Sequence, residues 1–497
     1  GGTWAAPTTN NSTQGWSASS AGTSSLSGTT TTTTSDALNF GTGSDGLATG
    51  TVTVSGSLSA GSITFGSASG NITLGGANQT ITLGSTPTIT VDSSYATIVA
   101  KIAGSPGLTK NGTGTLVVPL ASTYSGPTTV NGGTLRLENL TTNGGADLKS
   151  TPGSTFNINN GSTLVIHSNA GGNNRAVSNT DTFNFDSNGG GTLEWSKGNN
   201  LVQGWTYHRF VTNGGLQNVI TSTNGAFLNG QGSGVLSFNV ADGSDAVDLL
   251  FSTTISNALI SKNGTGTMSV RNSTGGNYNH TVDQGTLDVG GSATLAGGTY
   301  SATLTTNATF SYSSSATQTI SSAVVGTGGV TVNGTGSLKL TGANTYTGST
   351  AVTAGTLQLG SGSTTGTLST SSAISTGSGG VFSINRSNTV TQGTDFSASA
   401  ITGTGGILQA GSGTTVLNAS NTYSGSTTIN AGTLQIDGNI ANSGLVINSG
   451  GIITPGTSAA VDSFGTSSIT INGGGYLWTM TSANGTAGTN WDQITST

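Results

Sequence analysis

Cysteine is absent from the 497-residue chain, so neither disulfides nor thiolate metal sites can hold its fold. Charge is also scarce, because only 6% of the residues are Asp, Glu, Lys or Arg, against about 25% in an average globular protein. Few ion pairs and few acid or base catalysts are therefore available. Backbone pairing and packing must stabilise the structure.

The few charges are mostly negative and are dispersed. The chain has 11 basic and 17 acidic residues, for a net charge of −6. No cluster of Lys and Arg could follow a phosphate backbone, so we expect no nucleic-acid partner. No apolar run approaches the roughly 20 residues that a membrane helix needs, so we expect no transmembrane segment.

Glycine is the most informative abundant residue, with 83 copies beside only 7 prolines. The glycines follow no three-residue period, which excludes collagen and favours a role in turns. Hydrophobic residues make up 32% of the chain, and they recur in short alternating runs. A disordered chain would dilute them evenly, so this chain should fold.

Short strands are predicted throughout the sequence, whereas no stretch has apolar residues at helical spacing. Small polar residues alternate with β-branched residues or Leu in "TVTVSGSL" (51–58), "NITL" (71–74), "TITL" (80–83) and "TITV" (88–91). Turn-forming segments such as "GGANQ" separate these runs. The pattern predicts an all-β protein with short strands at regular spacing.

The chain repeats itself. Residues 326–359 align with 403–436 at an offset of 77, without a gap, and 111–137 align with 333–359 at an offset of 222. A weaker copy keeps "KNGTGT" and "QGTLDV" but has Gly276 where the others predict an aromatic residue. The best copies of this repeat of about 77 residues are 107–137, 259–289, 326–359 and 403–436.

Such a repeat can hold three to four solenoid coils of about 20–25 residues each. In "VNGGTLRL", the side chains of Val130, Leu135 and Leu137 fall on one face of the strands. Thr134 and Arg136 fall on the other face, because strand side chains alternate with period two. Leu can then stack over Leu or Val inside, and Thr over Thr outside.

Glycines before "Thr-Leu" mark the predicted corners of the coils. Each of them should have φ > 0, a conformation that strains any residue with a Cβ atom. These structural corner glycines are Gly133, Gly285, Gly355 and Gly432.

A tyrosine recurs near a glycine in the three best copies, as Tyr124, Tyr346 and Tyr423. We interpret these residues as turn anchors, with a packed ring and a hydroxyl that has a backbone partner. The alternative is a platform on which a sugar ring stacks.

Together these features predict an elongated single-stranded β-solenoid, wound as a right-handed parallel β-helix. The solenoid should cover 51–497, after an irregular N-terminal segment or cap at 1–50.

The string "GTGTLVVPLASTYSGPTTVNGGTLRL" at 112–137, with copies at 334–359 and 411–436, resembles the autotransporter-associated β-strand repeat, also called the passenger-associated transport repeat. This resemblance implies a secreted passenger at the outer surface of a Gram-negative bacterium.

Solenoids can carry polysaccharide-cleaving sites, which need two carboxylates, or a carboxylate with Arg or Lys, close together. Between Asp288 and Asp437 the sole acidic residue is Asp395. One region concentrates suitable residues, namely Asp186, Glu194, Trp195, Lys197, Trp205, Tyr207, His208, Arg209, Asp242, Asp245 and Asp248. It is either a catalytic or sugar-binding groove or, as we favour, a loop-rich decoration with its charges in water.

Metal and cofactor sites are not indicated. "DGSD" at 242–245 has some likeness to a calcium loop but lacks the ligand series of an EF-hand and the nonapeptide period of calcium-binding β-rolls. We therefore expect no metal, no cofactor and no catalytic residues.

The sequence favours a secreted structural rod or fibre component with a role in adhesion, matrix or coating. Open solenoid ends expose unpaired backbone groups, so we expect copies to associate end to end. Surface glycans, or the surface of a host or neighbouring cell, are the other expected partners. The alternative function is a polysaccharide-degrading β-helix enzyme that uses the 186–248 region.

Overall fold

The computed structural model describes residues 3–5, 16–17, 26–27, 33–41, 49–55, 58–76, 79–119, 122–138, 154–168, 181–197, 207–223, 227–457 and 460–496. The chain divides into two compact units. The first comprises Gly1–Ala258 and Gly264–Met268, and the second comprises Leu259–Asn263 and Ser269–Thr497.

Short strands make up most of the first unit. In chain order they are β1 (Thr3–Ala5), β2 (Trp16–Ser17), β3 (Leu26–Ser27), β4 (Ala37–Phe40), β5 (Gly50–Ser55), β6 (Leu58–Phe65), β7 (Ile72–Leu74), β8 (Thr80–Val91), β9 (Tyr95–Ile98), β10 (Lys101–Ala103), β11 (Leu108–Asn111), β12 (Thr115–Pro119), β13 (Thr128–Val130), β14 (Thr134–Glu138), β15 (Thr155–Ile158), β16 (Thr163–Ser168), β17 (Thr182–Phe185), β18 (Thr192–Lys197), β19 (Tyr207–Thr212), β20 (Asn218–Ser222), β21 (Phe227–Val240) and β22 (Leu249–Ser252). Boundaries between the units fall within β23 (Thr254–Asn263) and β24 (Thr267–Val270).

β1 pairs with β5, and β2 with β3, in antiparallel fashion, whereas the strands from β4 onward pair in parallel with a strand of the next coil. Ladder A contains β4, β6, β8, β11, β13, β15, β17, β19 and β21. Ladder B contains β5, β7, β9, β12, β14, β16, β18, β20 and β22. Ladder A begins within the 1–50 segment that the sequence predicts to be irregular, most of which lies outside the described residues.

Coil length varies while register is kept. Thr115 pairs with Thr134, which pairs with Thr163, so one coil takes 19 residues and the next takes 29. The extra residues lie between strands, where they leave the pairing intact. Inside the coil, Val130, Leu135 and Leu137 are at most 1% exposed, as the predicted alternation requires. Burying one such side chain contributes about 2 kcal/mol.

A column of phenylalanines fills the core behind ladder A. Phe156, Phe183, Phe210 and Phe238 stack on successive coils, with ring centroids 5.1, 5.4 and 4.8 Å apart. Their near-parallel rings follow from the strand spacing of about 4.8 Å, which fixes the distance between equivalent side chains.

The second unit continues with short strands. They are β25 (Thr281–Val282), β26 (Thr286–Gly291), β27 (Thr299–Tyr300), β28 (Leu304–Thr306), β29 (Thr309–Ser314), β30 (Thr317–Ile320), β31 (Val324–Val325), β32 (Gly329–Val332), β33 (Ser337–Leu340), β34 (Thr350–Ser363), β35 (Ile374–Arg386), β36 (Val390–Thr391), β37 (Thr402–Gly403), β38 (Gly406–Gln409), β39 (Thr414–Leu417), β40 (Thr427–Ile429), β41 (Gly432–Ile436), β42 (Ile440–Asn448), β43 (Gly451–Pro455), β44 (Ser463–Asn472), β45 (Gly475–Tyr476) and β46 (Gln493–Ser496). A short 3₁₀ turn covers Leu295–Gly298.

Four ladders give the coils of this unit their faces, and one of them joins β25, β28 and β31. Ladder C runs through β26, β29, β32, the start of β34, the start of β35, and β37. Ladder D runs through β27, β30, β33, the second halves of β34 and β35, β38, β40, β42, β44 and β46. Ladder E contains β36, β39, β41, β43 and β45.

The two repeats of this unit occupy different faces. From Val330 in ladder C, successive coils lead through Thr350 and Ile374 to the neighbourhood of Thr402. The residue 77 positions after Val330 is Ile407, which lies in ladder D. One repeat therefore spans three coils and one face of the next coil. Its sequence specifies a corner and the two strands that flank it, and these strands can lie on any face of the coil.

Both units are parallel β-solenoids, which confirms the predicted all-β fold; right-handed winding stays a prediction. In the described part of the chain there is no α-helix. None of its helical segments has the length and apolar character required to cross a membrane.

Candidate binding surface

The corner glycines have φ of 58°, 64°, 65° and 64° at Gly133, Gly285, Gly355 and Gly432. A second constraint acts at Gly432, where an added Cβ would overlap the carbonyl oxygens of Gly411 and Gly413. These oxygens belong to the preceding coil. The corner thus requires glycine for its dihedral angle and also for the close approach of two backbones.

The repeated tyrosines lie inside the coils. Tyr124 is 2% exposed, and Tyr346 and Tyr423 are 0% exposed. Each hydroxyl shares a hydrogen bond with the threonine hydroxyl four residues later, at 2.6–2.7 Å. The backbone partner expected from the sequence is thus replaced by a side chain. Burial raises the pKa of Tyr346 to about 12, and a buried ring cannot stack on a sugar.

Two residues before each of these tyrosines, a polar side chain accepts the backbone hydrogen bond that a carbonyl group of the neighbouring strand would accept in a regular ladder. Ser122, Asn344 and Asn421 accept hydrogen bonds from the backbone N–H groups of residues 102, 324 and 401, at 3.2, 2.9 and 2.8 Å. The signal was present in the sequence as "STY" and "NTY". In the weaker copy His280 makes a similar bond at another position of the repeat, because its Nδ1 accepts from the N–H of Ile260 at 3.0 Å.

His280 makes stability sensitive to acid. Burial lowers the pKa of His280 to about 4 and that of His208 to about 3, whereas an unfolded histidine titrates near pH 6.5. Between pH 6.5 and 4 the unfolded chain binds more protons than the folded one, so stability falls as pH falls. For His280 we expect a loss on the order of 3 kcal/mol by pH 4, measured by denaturant unfolding at several pH values.

The His280→Asn variant is the matched control, because Asn344 and Asn421 show that an asparagine side chain can accept a hydrogen bond from the backbone N–H 20 residues earlier. It should unfold with a shallower dependence on pH than the natural chain. An unchanged dependence would show that His280 does not contribute to it.

Buried lysines close two corners. Lys110 is fully buried, and its Nζ donates to the carbonyl oxygens of Asn111, Gly112 and Gly132 at 3.0, 2.7 and 2.9 Å. Burial lowers the pKa of Lys110 to about 8, although the Asp92 carboxylate acts to raise it. These carbonyls lie at the end of a strand, where the ladder offers them no N–H partner, so the ammonium group replaces one.

The same corner position is used by Lys262 and Gln409. Lys262 Nζ donates to the carbonyl oxygens of Asn263 and Gln284 at 3.0 and 3.1 Å. Gln409 Nε2 donates to those of Gly411 and Gly413 at 2.8 and 3.2 Å. The position therefore accepts a long hydrogen-bond donor with or without a charge, and the copy at 326–359 has the buried Val332 there instead.

Replacement of Lys110 by Met should reduce the free energy of unfolding by about 2 kcal/mol, since it removes charge-assisted hydrogen bonds to carbonyls. Lys110→Gln should recover most of this loss, because Gln409 serves the same corner in another copy. Amide hydrogen exchange in β13 reports the local change. Equal protection in all three proteins would contradict this role.

In the 186–248 region, the alternative catalytic site of the sequence analysis, acidic side chains accept hydrogen bonds from backbone N–H groups. Asp186 Oδ1 accepts from the N–H groups of Asn188 and Gly189, both at 3.2 Å. Asp245 Oδ2 accepts from Gln217 N at 2.6 Å. Asp248 accepts from Gly243 N and Thr267 N at 2.6 and 2.7 Å. These carboxylates hold turns in place.

No common site is formed by Glu194, Trp195, His208 and Arg209, the next residues of that region that the structure describes. Glu194 accepts from the Thr223 hydroxyl at 2.8 Å, Trp195 and His208 are buried, and Arg209 is exposed. Trp205 and the side chains of Lys197 and Tyr207 lie outside the described residues. Nowhere in the described ranges do three or more His, Cys, Asp or Glu residues form a group suited to a metal ion.

A Ser, a His and a Glu do come together, on ladder B. Ser196, His167 and Glu138 are in register on successive strands, and His167 Nδ1 lies 3.0 Å from Ser196 Oγ. His167 Nε2 and Glu138 Oε1 are 3.9 Å apart, too far for a hydrogen bond. Ser196 is 5% exposed, so this stack lacks an accessible nucleophile.

A polar cleft lies on the outer surface of ladder A. Its volume is about 410 Å³, and it is lined by Thr129, Asn157, Asn159, Asn184, Phe185, Asp186, Val211 and Asn213. Thr129, Asn157, Asn184 and Val211 are in register on consecutive strands, so they form one column along the cleft. The sequence predicted outward polar positions, but not that they form a cleft.

An apolar patch is exposed on β44 and the segment after it in the second unit. Ile469 and Ile471 on β44 pair in register with Leu445 and Ile447. The latter two are at most 1% exposed, whereas Ile469 and Ile471 are 38% and 58% exposed. Leu477, Trp478 and Met480 are also more than half exposed. The described residues place no further coil over these core positions of β44.

This architecture defines a class, the parallel β-solenoids whose sequence repeat encodes a coil corner. Residues 108–137, 330–359 and 407–436 match the passenger-associated-transport-repeat family. The chain thus carries three passenger-associated-transport-repeats, which confirms the predicted resemblance. The weaker copy at 259–289 lies outside the matched segments.

A similar curated protein is the adhesin BmaC autotransporter of Brucella suis biovar 1 (strain 1330). It is 36% identical over 107 residues, which cover 22% of this chain and 3% of the adhesin. No solved structure matches the chain.

Proposed function

We propose that this chain is an adhesin-type passenger, located outside the cell or on the surface of a Gram-negative bacterium. The observation that carries the proposal is the similarity to an autotransporter adhesin in a chain with three passenger repeats. The geometry supports it, because coils of varying length keep one register and can present varied outer surfaces on a stable core.

Within this proposal the role is structural and non-catalytic. The carboxylates of the 186–248 region support it, since Asp186, Asp245 and Asp248 bind backbone amides. The alternative, a polysaccharide-degrading enzyme, would be favoured by turnover of neutral or acidic glycans. Loss of such turnover in Glu194→Gln or Asp245→Asn would overturn the non-catalytic role.

Surface display tests the adhesin proposal. A non-adherent Gram-negative strain that displays the chain on a passenger carrier should attach to epithelial cells or matrix-coated surfaces several-fold better than one displaying the carrier alone. Staining of an attached epitope tag ensures equal surface levels, and protease resistance ensures folding. A folded, displayed chain that leaves attachment unchanged would overturn the proposal.

A second candidate function, assembly into extracellular fibres, is favoured by the apolar patch on β44. We propose that a second copy of the chain covers it, because Ile469 and Ile471 continue a buried core column. An added strand would also pair with the edge of β44 at 467–472, since β46 pairs with its residues 463–466. Head-to-tail contacts of this kind need not close, so they produce filaments.

Light scattering and electron microscopy at high protein concentration test the assembly. Ile471→Lys should abolish concentration-dependent growth, because it places a charge in the contact. Thr470→Lys is the matched control, since it adds the same charge to the neighbouring position, whose side chain points to the opposite face. If the natural chain stays strictly monomeric, the proposal of filament assembly is wrong.

A further inference from the structure

The cleft on ladder A has a regular hydrogen-bonding wall. Asn184 Nδ2 donates to Asn157 Oδ1 at 3.0 Å, and Asn157 Nδ2 donates to Thr129 Oγ1 at 3.2 Å. A carboxamide has two N–H donors and an oxygen with two lone pairs. Each of these side-chain hydrogen bonds uses one N–H of an amide, so the column of side chains keeps further donors and acceptors for a ligand. These groups repeat at the strand spacing of about 4.8 Å.

Charge and shape limit the class of ligand. The lining contains no Lys or Arg, and its one charged residue is Asp186, so a polyanion would gain no ion pair there. Val211 adds apolar surface at one end of the column, whereas the Phe185 side chain is buried. A volume of about 410 Å³ is within the usual range of roughly 300–1,000 Å³ for ligand sites.

A peptide strand is a poor candidate for this cleft. Strands β13, β15, β17 and β19 are each paired along both edges. No free edge is therefore available for strand addition, the commonest way in which a sheet binds an extended peptide. A ligand must instead bind through the side chains.

We propose that the cleft binds a neutral, hydroxyl-rich carbohydrate chain, which lies along the column of Thr129, Asn157, Asn184 and Val211. Sugar hydroxyls both donate and accept, as the free amide groups require, and the C–H faces of the rings suit Val211. This inference rests on the proposed adhesin function, to which it adds the ligand class and the site.

Calorimetric titration of the purified full chain tests the site without cells. The probes are three neutral hexasaccharides, cellohexaose, maltohexaose and mannohexaose, and one acidic probe, hexagalacturonate. At least one neutral probe should bind with a Kd below about 10 mM, and at least tenfold more tightly than the acidic probe. No saturation by any neutral probe, or tighter binding of the acidic one, would overturn the inference.

The double variant Asn157→Ala/Asn184→Ala should weaken the neutral probe at least tenfold, with an unchanged thermal midpoint. The matched control is Asn430→Ala/Asn448→Ala, which removes an exposed Asn ladder of the second unit with a similar hydrogen bond of 2.8 Å. The control should bind normally, and equal loss in both variants would overturn the assignment.

The two proposals can fail separately. Sugar binding without cell attachment would disprove the adhesin proposal alone, and cell attachment without sugar binding would disprove the proposed cleft site alone.

Discussion

Gly432→Ala should lower the stability of its coil by about 3–5 kcal/mol. Two costs combine at this corner. The φ of 64° strains a residue with Cβ, and the new atom would overlap the carbonyl oxygens of Gly411 and Gly413. Native-state hydrogen exchange of the amides in β39, β41 and β43 measures the local free energy of opening.

Gly161→Ala separates these two costs. Gly161 has a similar φ of 67°, but a Cβ there would meet no atom within 4 Å. Its substitution should cost only about 1 kcal/mol, the strain of the dihedral angle alone. If both variants lost the same free energy of opening, the close contact between coils would not be the reason that glycine is needed at Gly432.

Phe183→Ala should cost about 3–5 kcal/mol, because it removes a buried ring from the middle of the phenylalanine column. The ring stacks on Phe156 and Phe210 and meets the edge of Trp195 at a centroid distance of 5.7 Å. Close-packed neighbours on three sides cannot collapse into the space. Denaturant unfolding of the purified chain measures the loss.

Two variants on the same strand control this result. Phe183→Leu keeps most of the volume and should lose only about 1–2 kcal/mol. Asn184→Ala changes the neighbouring outward side chain and should lose less than about 1 kcal/mol. A Phe183→Ala protein as stable as Asn184→Ala would mean that the column does not stabilise the coil.

Much of the fold was predictable because its determinants are local. Alternation in "VNGGTLRL" placed Val130, Leu135 and Leu137 inside the coil, where they are buried. Repeated glycines before "Thr-Leu" indicated positive φ, and those residues do have it. Both inferences need only the period of a strand and the dihedral preference of one residue.

Less of the candidate binding surface was predictable. The 186–248 acids looked like a cluster in sequence, yet Asp186 and Asp248 bind backbone amides of separate turns. The cleft instead uses Asn157 and Asn184, which are 27 residues apart and gave no signal as a pair. Which outward residues become neighbours depends on coil length, and that varies from coil to coil.

The sequence by itself determined the strand content, the inward and outward faces and the corners, because each depends on residues within a few positions of one another. Only the tertiary structure decided which residues lie above one another. It placed the repeat at 407–436 on the face of the coil that follows the face occupied by the repeat at 330–359. It also brought the carbonyl groups of Gly411 and Gly413 against Gly432. It left the side chain of Ile471 exposed. These features arise from the register between coils, which sums the lengths of all intervening loops and appears in no local pattern.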